Sequence, residues 1–197
     1  SALTIAHPEL IALLKAGDDQ FWVNTFAKRL GEQAFAGTKA VIPSTPAENR
    51  AYSIGGITFQ VMLFDKAHTA TDLMVYVVEE GVLFTGDIVN NQHFSFMGHG
   101  NFKGAYEATQ KALTLNADYV VVGHGRRGKP ELIKEFGQIY RQLRTVVGKY
   151  YEQGLMDYEM KPRVIAELAE YQQWSGFEQQ IGPYISQLIT ELEAESF

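Results

Sequence analysis

Leu73-Met74-Val75-Tyr76-Val77-Val78-Glu79-Glu80-Gly81-Val82-Leu83-Phe84-Thr85-Gly86-Asp87 is the stretch that decides the architecture. Its first six residues are continuously apolar, as expected for a strand covered on both faces. Glu79-Glu80-Gly81 reads as a tight turn, and Val82-Leu83-Phe84 returns antiparallel to the first strand. The hairpin delivers a carboxylate, Asp87, just past a strand end. Upstream, Ile57-Thr58-Phe59-Gln60-Val61-Met62-Leu63-Phe64 is equally rich in β-formers. Downstream, Tyr119-Val120-Val121-Val122 is a short buried strand running into Gly123-His124-Gly125.

Helical patterns surround these strands. Pro8 opens a short helix that stops near Gly17, and Asp18 or Asp19 caps a second one ended by Gly31. Residues 31–55 read as an irregular loop with one or two short strands, not a domain linker. A helix is expected over about 102–115. Pro130 opens a long one with an apolar stripe at 132, 133, 136, 139, 140, 143, 146 and 147. Residues 163–172 form another, and Pro183 starts the last. The fold class is α/β, a mostly antiparallel or mixed sheet flanked by helices. We read 1–197 as one domain with a helical C-terminal extension over 155–197.

The chain has 197 residues, 46% of them hydrophobic, enough for one sizeable core. A net charge of −6 gives no general attraction to nucleic acid or to an anionic membrane, so neither is an expected partner. The one tight basic cluster, Arg126, Arg127 and Lys129, reads as a solvated loop in preference to an anion-orienting group. With no cysteine, disulfides, thiolate ligands and a Cys nucleophile are excluded, and both periplasm and cytoplasm stay open. No apolar run approaches the ~20 residues of a membrane helix.

Three residues share a structural address. His68 follows the strand ending at Phe64, Asp87 the strand ending at Phe84, and His124 the strand ending at Val122. A sheet fixes the geometry of what leaves its strand ends. Two imidazoles and a carboxylate suit Zn²⁺, Fe²⁺ or Mn²⁺. Taken singly, each has a blander reading: a hydrogen-bonded structural His, a Gly-Asp turn, an uncommon Gly-His-Gly. Their combination and order favour a metal site.

At these positions the chain resembles the metallo-β-lactamase superfamily. The likeness lies in Ala67-His68-Thr69-Ala70-Thr71-Asp72, in Val82 through Val89 around Gly86-Asp87, and in Val121-Val122-Gly123-His124-Gly125, which look like the family's third, fourth and fifth metal motifs. It extends to the standalone periplasmic and quinoprotein-associated hydrolase branch through the first helices, the Gly55-Gly56 turn and Tyr171-Gln172-Gln173-Trp174-Ser175-Gly176-Phe177. The resemblance implies an αββα sandwich with two zinc ions. His68 would bind the first, Asp87 would bridge, and His124 would bind the second. It also implies a second-shell role for Thr69 and Asp72 (for Asp72 a surface salt bridge is an equal reading) and a substrate-pocket wall carrying His93 and His99. A metal-activated water attacking an ester, amide or thioester-type bond in a small molecule is the chemistry it implies.

The family's main signature, His-x-His-x-Asp-His, is absent from these residues. The five histidines are His7, His68, His93, His99 and His124. His7 reads as an N-cap or surface residue. We therefore expect the C-terminal portion of the sandwich, with the N-terminal sheet truncated and two protein ligands per metal where zinc takes three or four. Weak or absent zinc binding, negligible hydrolysis by this chain alone, and a homodimer or domain-swapped assembly covering the open sheet follow as expectations. The identity of any catalytic residue is left open. The competing reading is a metal-free binding or scaffold module that keeps the fold without the chemistry.

Overall fold

A computed structural model describes residues 4–195. They fall into two compact units, Ser1–Asn49 (described from residue 4) and Arg50–Phe197 (described to residue 195). The division lies inside the irregular stretch 31–55.

The first unit holds β1 (Ile5–Ala6), α1 (Pro8–Leu13), α2 (Asp19–Leu30), α3 (Glu32–Phe35) and β2 (Thr45–Pro46), which pairs parallel to β1. His7 is buried and caps α1: its Nδ1 accepts the Glu9 N–H at 3.2 Å. Its place at the cap, not at the surface, follows from Pro8, which holds the first helical position. Gly17 and Gly31 both have positive φ, 119° and 100°, and end the helical runs as their type suggests. α2 buries no residue, and it carries Phe21, Trp22, Phe26 and Leu30 exposed.

The second unit is a five-stranded sheet with helices. Strands β3 (Ala51–Ile54), β4 (Ile57–Phe64), β5 (Asp72–Val77), β6 (Val82–Gly86) and β7 (Tyr119–Val122) lie in that order. The first three pairings are antiparallel and β6–β7 is parallel. That last pairing needs a crossover, supplied by α4 (Phe102–Leu113). α5 (Glu131–Glu152), α6 (Asp157–Glu167) and α7 (Phe177–Glu195) follow.

Alternation along the strands sets the core. Met62, Met74, Leu83 and Val120 are buried together with Phe102, Ile133, Tyr140, Leu143 and Ile185 of the helices. The opposite face carries Val61, Val75, Phe84 and Val121 in one register row. There Val61 is buried, Val75 and Val121 are half-buried, and Phe84 is 44% exposed. The continuous apolarity of 73–78 therefore does not mean full burial on both faces; only Met74 is fully buried.

Two helix boundaries differ from expectation. α6 begins at Asp157 with Pro162 inside it, and its Met156–Glu159 end is closed by Glu159 Oε2 accepting the Met156 N–H at 2.9 Å. α7 begins at Phe177 with Pro183 inside. An interior proline removes one helix hydrogen bond. Burial of Phe177, Ile181, Tyr184, Ile185 and Leu188 on one face offsets that loss.

Two buried polar contacts tie the layers. The Tyr140 hydroxyl donates to the Ile88 carbonyl at 2.8 Å. Buried Glu191 accepts the Phe102 N–H at 2.8 Å, at the start of α4, and pairs with Arg144 at 3.1 Å. Tyr140→Phe leaves the Ile88 carbonyl without this donor and is expected to cost about 1–3 kcal/mol in denaturant unfolding. Burial raises the Glu191 carboxyl above its ordinary range, against the opposing Phe102 N–H and Arg144. The folded state then holds this proton at pH values where the unfolded chain has lost it, so Glu191 contributes a fall in stability as pH rises from the ordinary carboxylate range to the raised value. Glu191→Gln should remove that portion of the slope in thermal unfolding followed against pH.

Candidate metal centre

Strand polarity brings three loops to one end of the sheet. β4 ends where β5 starts, with Phe64 opposite Asp72. β5 runs against β6, so the start of β5 lies beside the end of β6. β6 and β7 run together, with Gly86 opposite Val122. His68, Asp87 and His124 follow from those ends.

Asp87 Oδ2 lies 3.6 Å from His68 Nε2 and 3.3 Å from His124 Nε2. His68 is largely shielded, while His124 is exposed. Burial lowers the affinity of His68 for a proton, opposed by Asp87 and Asp72. Burial thus favours the neutral ring over the imidazolium. Neutral imidazole is also the form that ligates metals.

Tight backbone turns hold these residues. Gly86 has φ 54°, which lets the chain turn sharply after the strand, and the ladder shifts register between Phe84 and Gly86. Gly123 is required for a different reason. A Cβ there would stand 1.9 Å from Asp87 Oδ1 and 2.8 Å from the Asp87 backbone.

Thr69 and Asp72 organise the loop of His68. The Asp72 carboxylate accepts the Thr69 N–H at 2.7 Å and the Thr69 hydroxyl at 2.8 Å. Asp72 thereby closes the turn that directly follows His68.

His93 and His99 lie on the loop after Asp87. The His93 ring sits 4.6 Å from the His124 ring, tilted by 34°. Burial and His124 lower its proton affinity, opposed by Asp87. His99 is exposed and meets Phe96 edge-on at 5.6 Å. The loop is pinned to the C-terminal segment: Phe94 N–H donates to the Ser175 carbonyl at 2.8 Å, and Ser175 N–H to the Gln92 carbonyl at 3.1 Å. Phe94 itself packs among Tyr171, Trp174, Phe177 and Tyr184.

Sequence reasoning missed Asn90 and Ser95, both buried beside the donors. Asn90 Oδ1 accepts the His124 N–H at 2.8 Å, while its Nδ2 donates to the Asp87 carbonyl and to Ser95 Oγ, each at 3.1 Å. Ser95 Oγ stands 3.5 Å from His68 Nδ1. The available clue was an amide and a hydroxyl in the loop between two candidate ligands.

Two zinc ligands at ~2.0–2.1 Å in tetrahedral geometry lie roughly 3.3 Å apart. The Asp87–His124 and Asp87–His68 spacings match or approach that figure. Yet both imidazoles converge on a single carboxylate oxygen. Among the described residues, no group of three or more His, Cys, Asp or Glu is arranged to hold a metal ion. The donors among the described residues do not form a closed zinc site.

The sequence profile described as "Metallo-beta-lactamase superfamily" matches residues 6–124. The chain belongs to this superfamily. Among solved structures, VMB-1 at pH 5.5 is similar at 22% identity and TM-score 0.53, over 70% of this chain and 56% of VMB-1. DIM-1 metallo-beta-lactamase is similar at 18% and 0.52, over 70% and 56%. The stereoselective inverting sec-alkylsulfatase Pisa1 from Pseudomonas sp. is similar at 13% and 0.60, over 79% of this chain and 28% of the sulfatase. At such identities the likeness is one of fold. The superfamily chain described here spans about half the length of the VMB-1 and DIM-1 structures. No curated protein matches it in sequence.

Gly123→Ala should displace Asp87 and cost about 1–3 kcal/mol by overpacking. Gly148→Ala, in α5 with only Leu192 at 4.0 Å, is the control and should stabilise by roughly 0.5–1 kcal/mol. Urea unfolding of both variants checks the contrast.

Proposed function

We propose that these residues form part of the metal centre of a metal-dependent hydrolase, with zinc as the metal and an ester, amide or thioester-type bond in a small molecule as the target. The observation that carries the reading is the placement of one carboxylate oxygen, Asp87 Oδ2, against the Nε2 atoms of both His68 and His124. In this reading Asp87 is the shared donor, His68 serves one metal and His124 the other. Thr69 and Asp72 fix the turn that presents His68. His93, against the His124 ring, and His99 line the approach. The superfamily supports metal-dependent hydrolysis as a class.

Each metal position has two protein donors here, and zinc takes three or four. The 197 residues therefore do not fit a complete zinc centre, and no catalytic step is assigned to them alone. Further ligands from beyond these residues would be required for turnover. The expected outcome with the chain as it stands is weak zinc uptake by calorimetry and negligible hydrolysis of a chromogenic lactam or ester in millimolar zinc. Robust turnover would refute this account. Metal analysis of a longer polypeptide containing the chain separates the enzyme from a metal-free module: two bound ions support the hydrolase, none supports the module.

The apolar row of half-buried Val75 and Val121 and exposed Phe84 supports a second, independent proposal, a homodimer. Light scattering should give a dimer mass; a clean monomer overturns it.

A further inference from the structure

The Asn90 side chain is hydrogen-bonded directly to the segments of Asp87 and His124 and, through Ser95, to His68. It is 1% exposed. Its Oδ1 takes the backbone N–H of His124 at 2.8 Å. Its Nδ2 gives one hydrogen to the backbone carbonyl of Asp87 and one to Ser95 Oγ, both at 3.1 Å. Ser95 Oγ reaches the outer nitrogen of His68, Nδ1, at 3.5 Å. The Ser95 carbonyl is in turn held by the hydroxyl of Tyr184, from α7.

The partners fix the orientation of the carboxamide. The His124 backbone N–H can only donate and the Asp87 carbonyl can only accept. A flipped amide would set donor against donor and acceptor against acceptor. No other side chain of this length offers one acceptor and two donors on a planar group. Serine has a single donor and ionised aspartate none; leucine has neither donor nor acceptor; glutamine is one carbon longer. The site is also buried, so a missing partner is not replaced freely by solvent.

We propose that Asn90 is the positioning residue of this centre: a single carboxamide sets the spacing of Asp87, His124 and, through Ser95, His68. It touches no donor atom itself. Its purpose rests on the metal-donor reading above, but its geometric effect does not. The outer nitrogen of a ligating histidine is where a supporting partner governs ring orientation, and Ser95 occupies that place for His68.

The test uses the full chain without metal. Long-range ¹H–¹⁵N spectra at one fixed pH report the ring nitrogens of the histidines, with His7 and His99 as internal references. Asn90→Ala is expected to shift the His68 and His124 ring signals while leaving His7 in place. Ser95→Ala breaks one branch and is expected to shift His68 but not His124. A lowered melting temperature for Asn90→Ala with both rings unchanged would mean a merely structural residue and overturns the proposal. Should Asn90→Ala not fold, Ser95→Ala decides: a shifted His68 alone supports the proposal, and an unchanged His68 overturns it. Metal analysis of a longer polypeptide containing the chain tests the metal reading separately. If that polypeptide binds no metal, that reading fails, while the metal-free comparison still judges Asn90. Where zinc does bind, Asn90→Ala should weaken it about 10–100-fold.

Discussion

Parallel pairing of Val82–Gly86 with Tyr119–Val122 is the constraint on which the rest of the second unit depends. Two parallel strands end at the same edge, so the residues that follow them, Asp87 and His124, emerge side by side. The antiparallel hairpin of β4 and β5 brings its own turn to that edge, and with it His68. The crossover that parallel pairing demands is filled by α4, whose first residue is held by Glu191 from α7. One topological choice therefore dictates both the cluster of polar side chains and the helical layer beneath it.

Much of this was legible from residue order. Strand ends at Phe64, Phe84 and Val122 were marked by runs of β-formers that stop near glycine or polar residues, and the second strand extends two residues further, to Gly86. The three candidate donors could be placed together because each followed such an end. The stripe of α5 was equally plain, since Ile133, Phe136, Tyr140, Leu143 and Val147 recur with helical spacing and are all buried. Proline misled the reading of α6 and α7. Its local preference for a helix start was overridden by tertiary burial of Phe177 and Ile181, which sit before Pro183 on the same helix. Two-sided coverage of β5 was also inferred too readily. An apolar run records what a strand can tolerate on each face, not what is packed there.

Asn90 and Ser95 escaped notice for a different reason. The significance of Asn90 lies largely in contacts to backbone atoms and that of Ser95 in its contacts to Asn90 and His68, and neither carries a sequence signature. Periodicity identifies surfaces, and motif spacing identifies side chains that meet a common partner. Neither identifies an amide that fixes the distance between two loops. The C-terminal Tyr171–Phe177 segment is similar: its aromatic residues hold Phe94, and thereby the loop on which both Ser95 and His93 are mounted.

The chain has two tryptophans, and the compact units hold one each. Trp22 lies on α2, 43% exposed and beside Phe21 and Phe26. Trp174 is half-buried, stacked on Phe136 and against Phe94. Their indoles sit in environments of different polarity, so their emission maxima differ, the solvated one lying to the red. Intrinsic fluorescence can thus follow each unit with its own optical reporter, without any attached dye.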